Sequence, residues 1–446
     1  MLTGGAGDGR QQERLAAARR LIPGATLDEL VLPEEVSLLP DRARGSRLWD
    51  LDGREYVDYT LGGGSLLLGH AAAPVVEAVR AQVDRGSAFT MLSEPLLRLA
   101  ELLVDAVPCG ERVVFTATGA EATYVALRLA RAGTGRSRVL KFEGGYHGFH
   151  DLGSLSVTSA SGGPEPVREG AGISPGTADE VVVAPFNDIA RTEALLDAHA
   201  DRLAAVIVEP LQRVVAPDPA FLARLRERTR RHGIVLVFDE IVTGFRFHWQ
   251  GAQGLLGIVP DLATYGKVLG GGYPLAAVAG TRALLDLADP RGGVAAFSGS
   301  QHGNAVASAA GLATLTAVRE AEGIARLGRL TELMRSALRQ AVAAVGAGGR
   351  VVVLGPVWHV YPIGSGDGPF ADHPSSLPRE PARAGVAVTA LAVELTRLGI
   401  LAFPRPRRGY VRGYLSLAHT EADVAWTGER LAEALRRVHA KLTPGA

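Results

Sequence analysis

Ile234-Val-Leu-Val-Phe-Asp-Glu-Ile-Val-Thr-Gly244, taken with Tyr265-Gly-Lys267 a short way downstream, decides how the chain is read. Ile234 to Phe238 are apolar without alternation, as in a strand buried on both faces of a parallel sheet. The run ends in two acids, at the carboxyl edge where open α/β sheets bind ligands. Asp239 is costly to desolvate there without a cationic partner, either a side chain or a ring nitrogen. Lys267 precedes Val268-Leu-Gly-Gly-Gly272, which reads as a mobile apolar stretch with little charge to pair an ammonium. Such a lysine has its pKa lowered and turns nucleophilic toward carbonyls. Each feature also has an ordinary use, the acids as a helix cap and Gly-Lys as a surface turn, so the weight rests on their combination. Together they are the two groups pyridoxal phosphate chemistry needs: a carboxylate for the pyridine nitrogen and an amine for the Schiff base.

Composition narrows the alternatives. The 446 residues carry 47 basic and 47 acidic side chains and are 47% hydrophobic, enough for one large domain and one or two smaller ones. Zero net charge leaves no basic footprint for nucleic acid or an anionic membrane. The single Cys109 forms no internal disulfide and suits a reducing cytoplasm. Arg10, Glu13, Arg14, Arg19 and Arg20 interrupt the first twenty residues, so no export signal is expected; the longest uncharged runs, around Thr60 to Val76 and Val268 to Gly280, are broken by Gly, His or Pro, so no membrane span is expected and a cytoplasmic location is.

Along the chain, residues 1–79 read as an N-terminal segment. It holds a helix from Gln11 to Leu21, and alternation about Asp52-Gly53 predicts a β-hairpin. Residues 80–310 alternate strand and helix, which argues a mainly parallel sheet with helices on both faces. Strands are expected at Arg112–Phe115, Arg138–Phe142, Glu180–Ala184, Ala204–Val208, Ile234–Phe238 and Leu275–Ala279. Helices are expected at Glu121–Arg131, Asp188–Ala200 and Pro219–His232. Residues 311–446 read as a small α+β domain with one long helical stretch from Ser308 to about Ala347, strands around Val351, Trp358 and Leu415, and a last helix opened by Thr420-Glu-Ala-Asp423.

Three more strand ends deliver suitable groups to the edge that carries Asp239. Thr116-Ala-Thr-Gly-Ala-Glu-Ala122 is a strand-to-helix turn whose backbone N–H groups suit an anion. Glu143-Gly-Gly-Tyr-His-Gly148 offers Tyr146 as a stacking face between permissive glycines, and Glu209-Pro-Leu-Gln212 brings an amide.

Phe142-Glu-Gly-Gly-Tyr-His-Gly148, Phe238-Asp-Glu-Ile-Val-Thr-Gly-Phe-Arg246 and Asp261-Leu-Ala-Thr-Tyr-Gly-Lys-Val-Leu-Gly-Gly-Gly272 resemble the class III aminotransferases of pyridoxal phosphate fold type I. The branch is that of glutamate-1-semialdehyde aminomutase, and the likeness spans nearly the whole chain. It implies pyridoxal 5'-phosphate as cofactor, Lys267 as Schiff-base lysine and proton shuttle, and Asp239 as partner of the pyridinium nitrogen. By the same resemblance Tyr146 and Ile241 face the ring, Thr118, Gly119 and Ala120 form the phosphate turn, and His147, Glu209 and Gln212 complete the cofactor contacts. Ser300 then reaches the phosphate of a neighbouring subunit, which implies a homodimer.

The chain departs from the pattern in two ways that bear on function. No arginine stands between Pro23 and Pro33, where the aminomutase grips its substrate carboxylate, and Val214 stands where it has an asparagine. Gln212 instead resembles the amide of the aminotransferases. Ser154 to Asp188 is like the aminomutase gating loop, which aminotransferases share. The expected function is therefore amino transfer between a donor and a keto or aldehyde acceptor; the alternative is an intramolecular amino shift of the aminomutase type. Arg405, Arg407, Arg408 and Arg412, on one loop before an expected strand Tyr414–Leu417, are the candidates for a substrate carboxylate.

Overall fold

The computed structural model describes residues 10–27, 31–158, 163–346, 349–363 and 381–442. These fall into two compact units, one formed by residues up to Ala72 and from Ala325 onward, the other running from Ala73 to Ile324.

The second unit is built on seven strands: β1 (Arg112–Thr116), β2 (Arg138–Phe142), β3 (Val181–Ala184), β4 (Leu203–Val208), β5 (Val235–Asp239), β6 (Leu262–Tyr265) and β7 (Ala276–Gly280). Their order is β1-β7-β6-β5-β4-β2-β3. Parallel pairing joins β3, β2, β4, β5 and β6, and β7 runs antiparallel to both neighbours. Every strand but β7 therefore points its carboxyl end to one edge. Each residue of β3, β4, β5 and β6 is buried, which is why β3, β4 and β5 read as apolar runs without alternation. The crossover helices Gly119–Thr134, Ile189–Ala198 and Phe221–His232 agree with expectation within three residues at each end.

Two expectations need correction. Strand β6 was not foreseen: it is four residues long and Ala-Thr at its centre breaks the apolar signal. The long helix after Ser308 is two, Ala305–Glu320 and Gly323–Ala343, broken where Glu322 turns to φ 46°.

In the first unit the hairpin closes where expected. Arg47–Asp50 pairs antiparallel with Glu55–Asp58 around Gly53 at φ 78°, and Ile400–Leu401 adds a parallel edge to Glu55–Asp58. A second sheet joins Arg350–Leu354, Val357–Tyr361, Tyr410–Tyr414 and Phe403–Arg405 in that order. The closing helix Glu421–Leu442 is capped reciprocally, Thr420 N–H donating to Asp423 Oδ2 and Asp423 N–H to Thr420 Oγ1. No described helix is long and apolar enough to cross a membrane.

Candidate active site

Asp239 is the last residue of β5, only 4% exposed, at the centre of the edge where the carboxyl ends gather. Its carboxylate is held on both oxygens. His147 Nδ1 lies 2.7 Å from Oδ2, while Oδ1 accepts from Thr264 Oγ1 at 3.1 Å and from the Ile241 N–H at 3.2 Å. Thr264 reaches it because the β5–β6 register sets Asp239 opposite Thr264. Its neighbour Glu240 does a different job. Fully buried, it accepts from Thr243 Oγ1, from the Ala252 and Gln253 N–H groups and from Gln253 Nε2. Burial pushes its carboxyl above the ordinary value while these four donors pull it back. Glu240 thus folds the loop after β5.

Lys267 follows β6 at φ 45°, a left-handed conformation unusual for a lysine, and opens the 3₁₀ turn Lys267–Gly270. Val268 and Leu269 are fully buried, so this stretch is packed rather than mobile as the sequence suggested. Ile241 links it to the turn after β1: a Cβ on Gly119 or on Gly266 would stand 3.0 Å from Ile241 Cδ1. Any larger residue at either glycine would force Ile241 to give way, so the turn after β1, the isoleucine and the residue before Lys267 pack closely.

That turn caps the helix Gly119–Thr134. Thr118 Oγ1 accepts from the Glu121 N–H, and Glu121 Oε2 accepts from the N–H groups of Ala117 and Thr118. A helix start has four N–H groups without intrahelical partners. With Thr118 and Glu121 satisfied, those of Gly119 and Ala120 remain to face an anion, together with the proton of the Thr118 hydroxyl.

The loop after β2 closes over the same edge. Gly148, at φ 107°, could not carry a side chain, since its Cβ would lie 2.6 Å from Ala120 Cα. Thr123 Oγ1 donates to the His147 carbonyl and fixes the loop to the helix. The Tyr146 N–H donates to Glu209 Oε1 at 2.9 Å and its ring is 48% exposed. Gln212 Nε2 donates to the Glu143 carbonyl at 2.9 Å. Beneath lies Lys141, 1% exposed, with Nζ donating to the carbonyls of Gly145 and Leu155. Burial brings its pKa down to about 7, against the opposing pull of Glu209 and Glu169.

Thr118, Gly119, Ala120, Tyr146, His147, Glu209, Gln212, Asp239, Ile241 and Lys267 therefore all belong to the second unit. Ser300 does too, on an exposed turn, and His302 two residues on lies 3.9 Å from Glu121 Oε1. The four arginines belong to the first unit and not to one loop: Arg405 ends one strand, Arg407 and Arg408 form a 3₁₀ turn, and Arg412 lies within Tyr410–Tyr414, opposite His359 and Phe403. The strand expected at Tyr414–Leu417 ends at Tyr414. Thr264 was missed along with β6, and the faint signal for it was Leu262-Ala-Thr-Tyr265 running directly into Gly266-Lys267.

Residues 32–355 match the family model Aminotransferase class-III. The chain belongs to the class-III aminotransferase family. Within the curated members, it is 37% identical over 435 residues to a glutamate-1-semialdehyde 2,1-aminomutase of Roseiflexus castenholzii, covering 96% of this chain and 98% of that one. A glutamate-1-semialdehyde 2,1-aminomutase of Chloroflexus aurantiacus is 42% identical over 313 residues, 69% of this chain and 70% of that one. By structure the chain is similar to an omega-transaminase from Sphaerobacter thermophilus, with TM-score 0.88, 34% identity and 98% of each chain covered. It is also similar to a glutamate-1-semialdehyde-aminomutase from Pseudomonas aeruginosa, with TM-score 0.82, 27% identity, and 97% and 95% covered.

The fold is pyridoxal phosphate fold type I, and the protein is a class-III enzyme that uses pyridoxal 5'-phosphate. The edge around Asp239 fits that group. His147 Nε2 and Gln212 Oε1 are buried with no hydrogen-bond partner among the described residues. Those atoms, the open N–H groups of Gly119 and Ala120 and the half-exposed Tyr146 ring are what a planar, phosphorylated, polar ring would satisfy.

Proposed function

We propose that this enzyme shifts an amino group between carbons of one small carboxylate-bearing substrate, in the manner of a glutamate-1-semialdehyde 2,1-aminomutase. The observation that carries the reading is the likeness to such an enzyme over 96% of this chain and 98% of the relative. It supports the intramolecular form over the transfer between two molecules that the residues alone favour. Two observations support that transfer as a second reading: no arginine stands between Pro23 and Pro33, and the omega-transaminase has the TM-score of 0.88 against 0.82 for the aminomutase.

Both readings assign the same residues. Gly119 and Ala120 N–H and the Thr118 hydroxyl hold the phosphate, Tyr146 and Ile241 bracket the ring, and Gln212, His147 and Glu209 order its polar edge. When bound, pyridoxal phosphate supplies a carbonyl carbon that takes up the amino group and a ring that withdraws electrons. Asp239, fixed by three donors, keeps a proton on the ring nitrogen. Lys267 anchors the group, and its Nζ carries the proton taken from the substrate carbon that bears nitrogen. A homodimer with Ser300 contributed to the second copy's phosphate site is part of the proposal; exposed Met91 (74%), Leu92 (82%) and Phe149 (77%) support a further apolar contact.

The test is glutamate-1-semialdehyde given alone to the reconstituted enzyme. Formation of 5-aminolevulinate without a second substrate supports the shift. A reaction that stalls after one equivalent and resumes only with a separate oxo acceptor would replace it with intermolecular transfer.

A further inference from the structure

Gln212 and Val215 close a tight turn at the end of β4, each N–H donating to the other's carbonyl at 3.0 Å. Arg213 stands at its tip with φ 63°, the left-handed region that glycine occupies at no cost. A long cationic side chain thus stands where the backbone favours glycine. Arg213 is partly exposed, and Nη2 donates to the Gly144 carbonyl at 2.5 Å, inside the loop that carries Tyr146 and His147. It makes no ion pair among the described residues, so four of its five N–H donors remain open. The other cations here are committed: Lys141 is buried on two carbonyls and Lys267 is the proposed cofactor anchor. A Cβ on Gly145 would stand 3.4 Å from Gln212 Nε2 and 3.0 Å from His147 Nε2, so both side chains pack against that glycine and the turn belongs to the same corner of the site.

We propose that Arg213 is the specificity-determining residue of this enzyme, gripping the substrate's carboxylate with its open guanidinium edge. The inference rests on the proposed reading of the protein as an enzyme that moves an amino group on a carboxylate-bearing substrate. A planar guanidinium accepts a carboxylate through two parallel hydrogen bonds, which a neutral amide or a lysine cannot reproduce. Anchored to Gly144 by Nη2, the fork is already oriented, so less side-chain freedom is lost on binding.

The experiment is calorimetric titration of the holoenzyme with glutarate and with its neutral diamide, which do not turn over; binding is read whether or not any amine is transformed. Arg213→Gly relieves the left-handed backbone, so its melting temperature should equal or exceed that of wild type, and any lost binding is not lost folding. The expected result is glutarate affinity at least tenfold weaker in Arg213→Gly, a smaller loss in Arg213→Lys, and unchanged diamide binding. Glutarate binding within twofold of wild type in Arg213→Gly, equal losses for both probes, or a wild type with no preference for glutarate would overturn the proposal. Turnover assayed in parallel separates this failure from failure of the amino-shift reading.

Discussion

Lys141 makes the fold respond to pH in a direction opposite to that of a lysine whose pKa is raised by an ion pair. Its amine is 1% exposed and satisfied by two carbonyls, an arrangement that a neutral amine with two N–H donors fulfils without a charge. With a folded pKa of about 7 against 10.5 unfolded, the unfolded chain binds the extra proton between these values. Stability therefore rises with pH through that window, and the cost of burying the ammonium is fully present below about pH 7. Integrating the two titrations from pH 7 to pH 9 gives a gain of about 2 kcal/mol, against a ceiling of about 5 kcal/mol over the whole window. Other groups titrate as well, so the assay is a difference: urea unfolding of wild type and Lys141→Met at both pH values. Lys141→Met should be less stable at pH 9, because it strands the carbonyls of Gly145 and Leu155, and the gap should narrow toward pH 7. A gap that stays constant, or widens as the pH falls, would mean the lysine remains charged in the folded protein and the reasoning fails.

Two further outcomes follow from the same geometry. Asp239→Asn preserves the shape and the contact with Thr264 but removes the charge, so single-turnover rates should fall by about three powers of ten; a variant within tenfold of wild type would assign the ring-nitrogen proton to another group. Gly251→Ala places a Cβ 2.6 Å from both Glu240 oxygens at φ 70°, and should cost at least about 2 kcal/mol in urea unfolding, with an unchanged midpoint counting against Glu240 as the loop's anchor.

The readable parts of this chain are those where one physical demand acts alone. Val235-Leu-Val-Phe238 is buried on both faces, so its apolar run marks it as a central strand, and Asp239 at its end stands out against that background. Leu262-Ala-Thr-Tyr265 is as central and as buried, yet its threonine serves Asp239 across the sheet, and a residue chosen for a neighbour's hydrogen bond blurs the strand signal. Thr118 and Glu121 could be seen as a turn; that Glu121 would absorb two of its N–H groups depends on the capping geometry. The conformation of Arg213 was hidden for the converse reason, because left-handed backbone is normally advertised by glycine. Arg412 was misplaced because the strand ends at Tyr414 rather than beginning there.

The central claim is that Lys267, beside the glycine that packs on Ile241, carries the cofactor opposite Asp239. Borohydride reduction of the reconstituted protein followed by peptide mapping tests it most directly. The expected result is the added mass of a reduced phosphopyridoxyl group on the peptide containing Lys267, and its loss from a folded Lys267→Ala variant. The same mass on another lysine, with Lys267→Ala still labelled and still active, would contradict it.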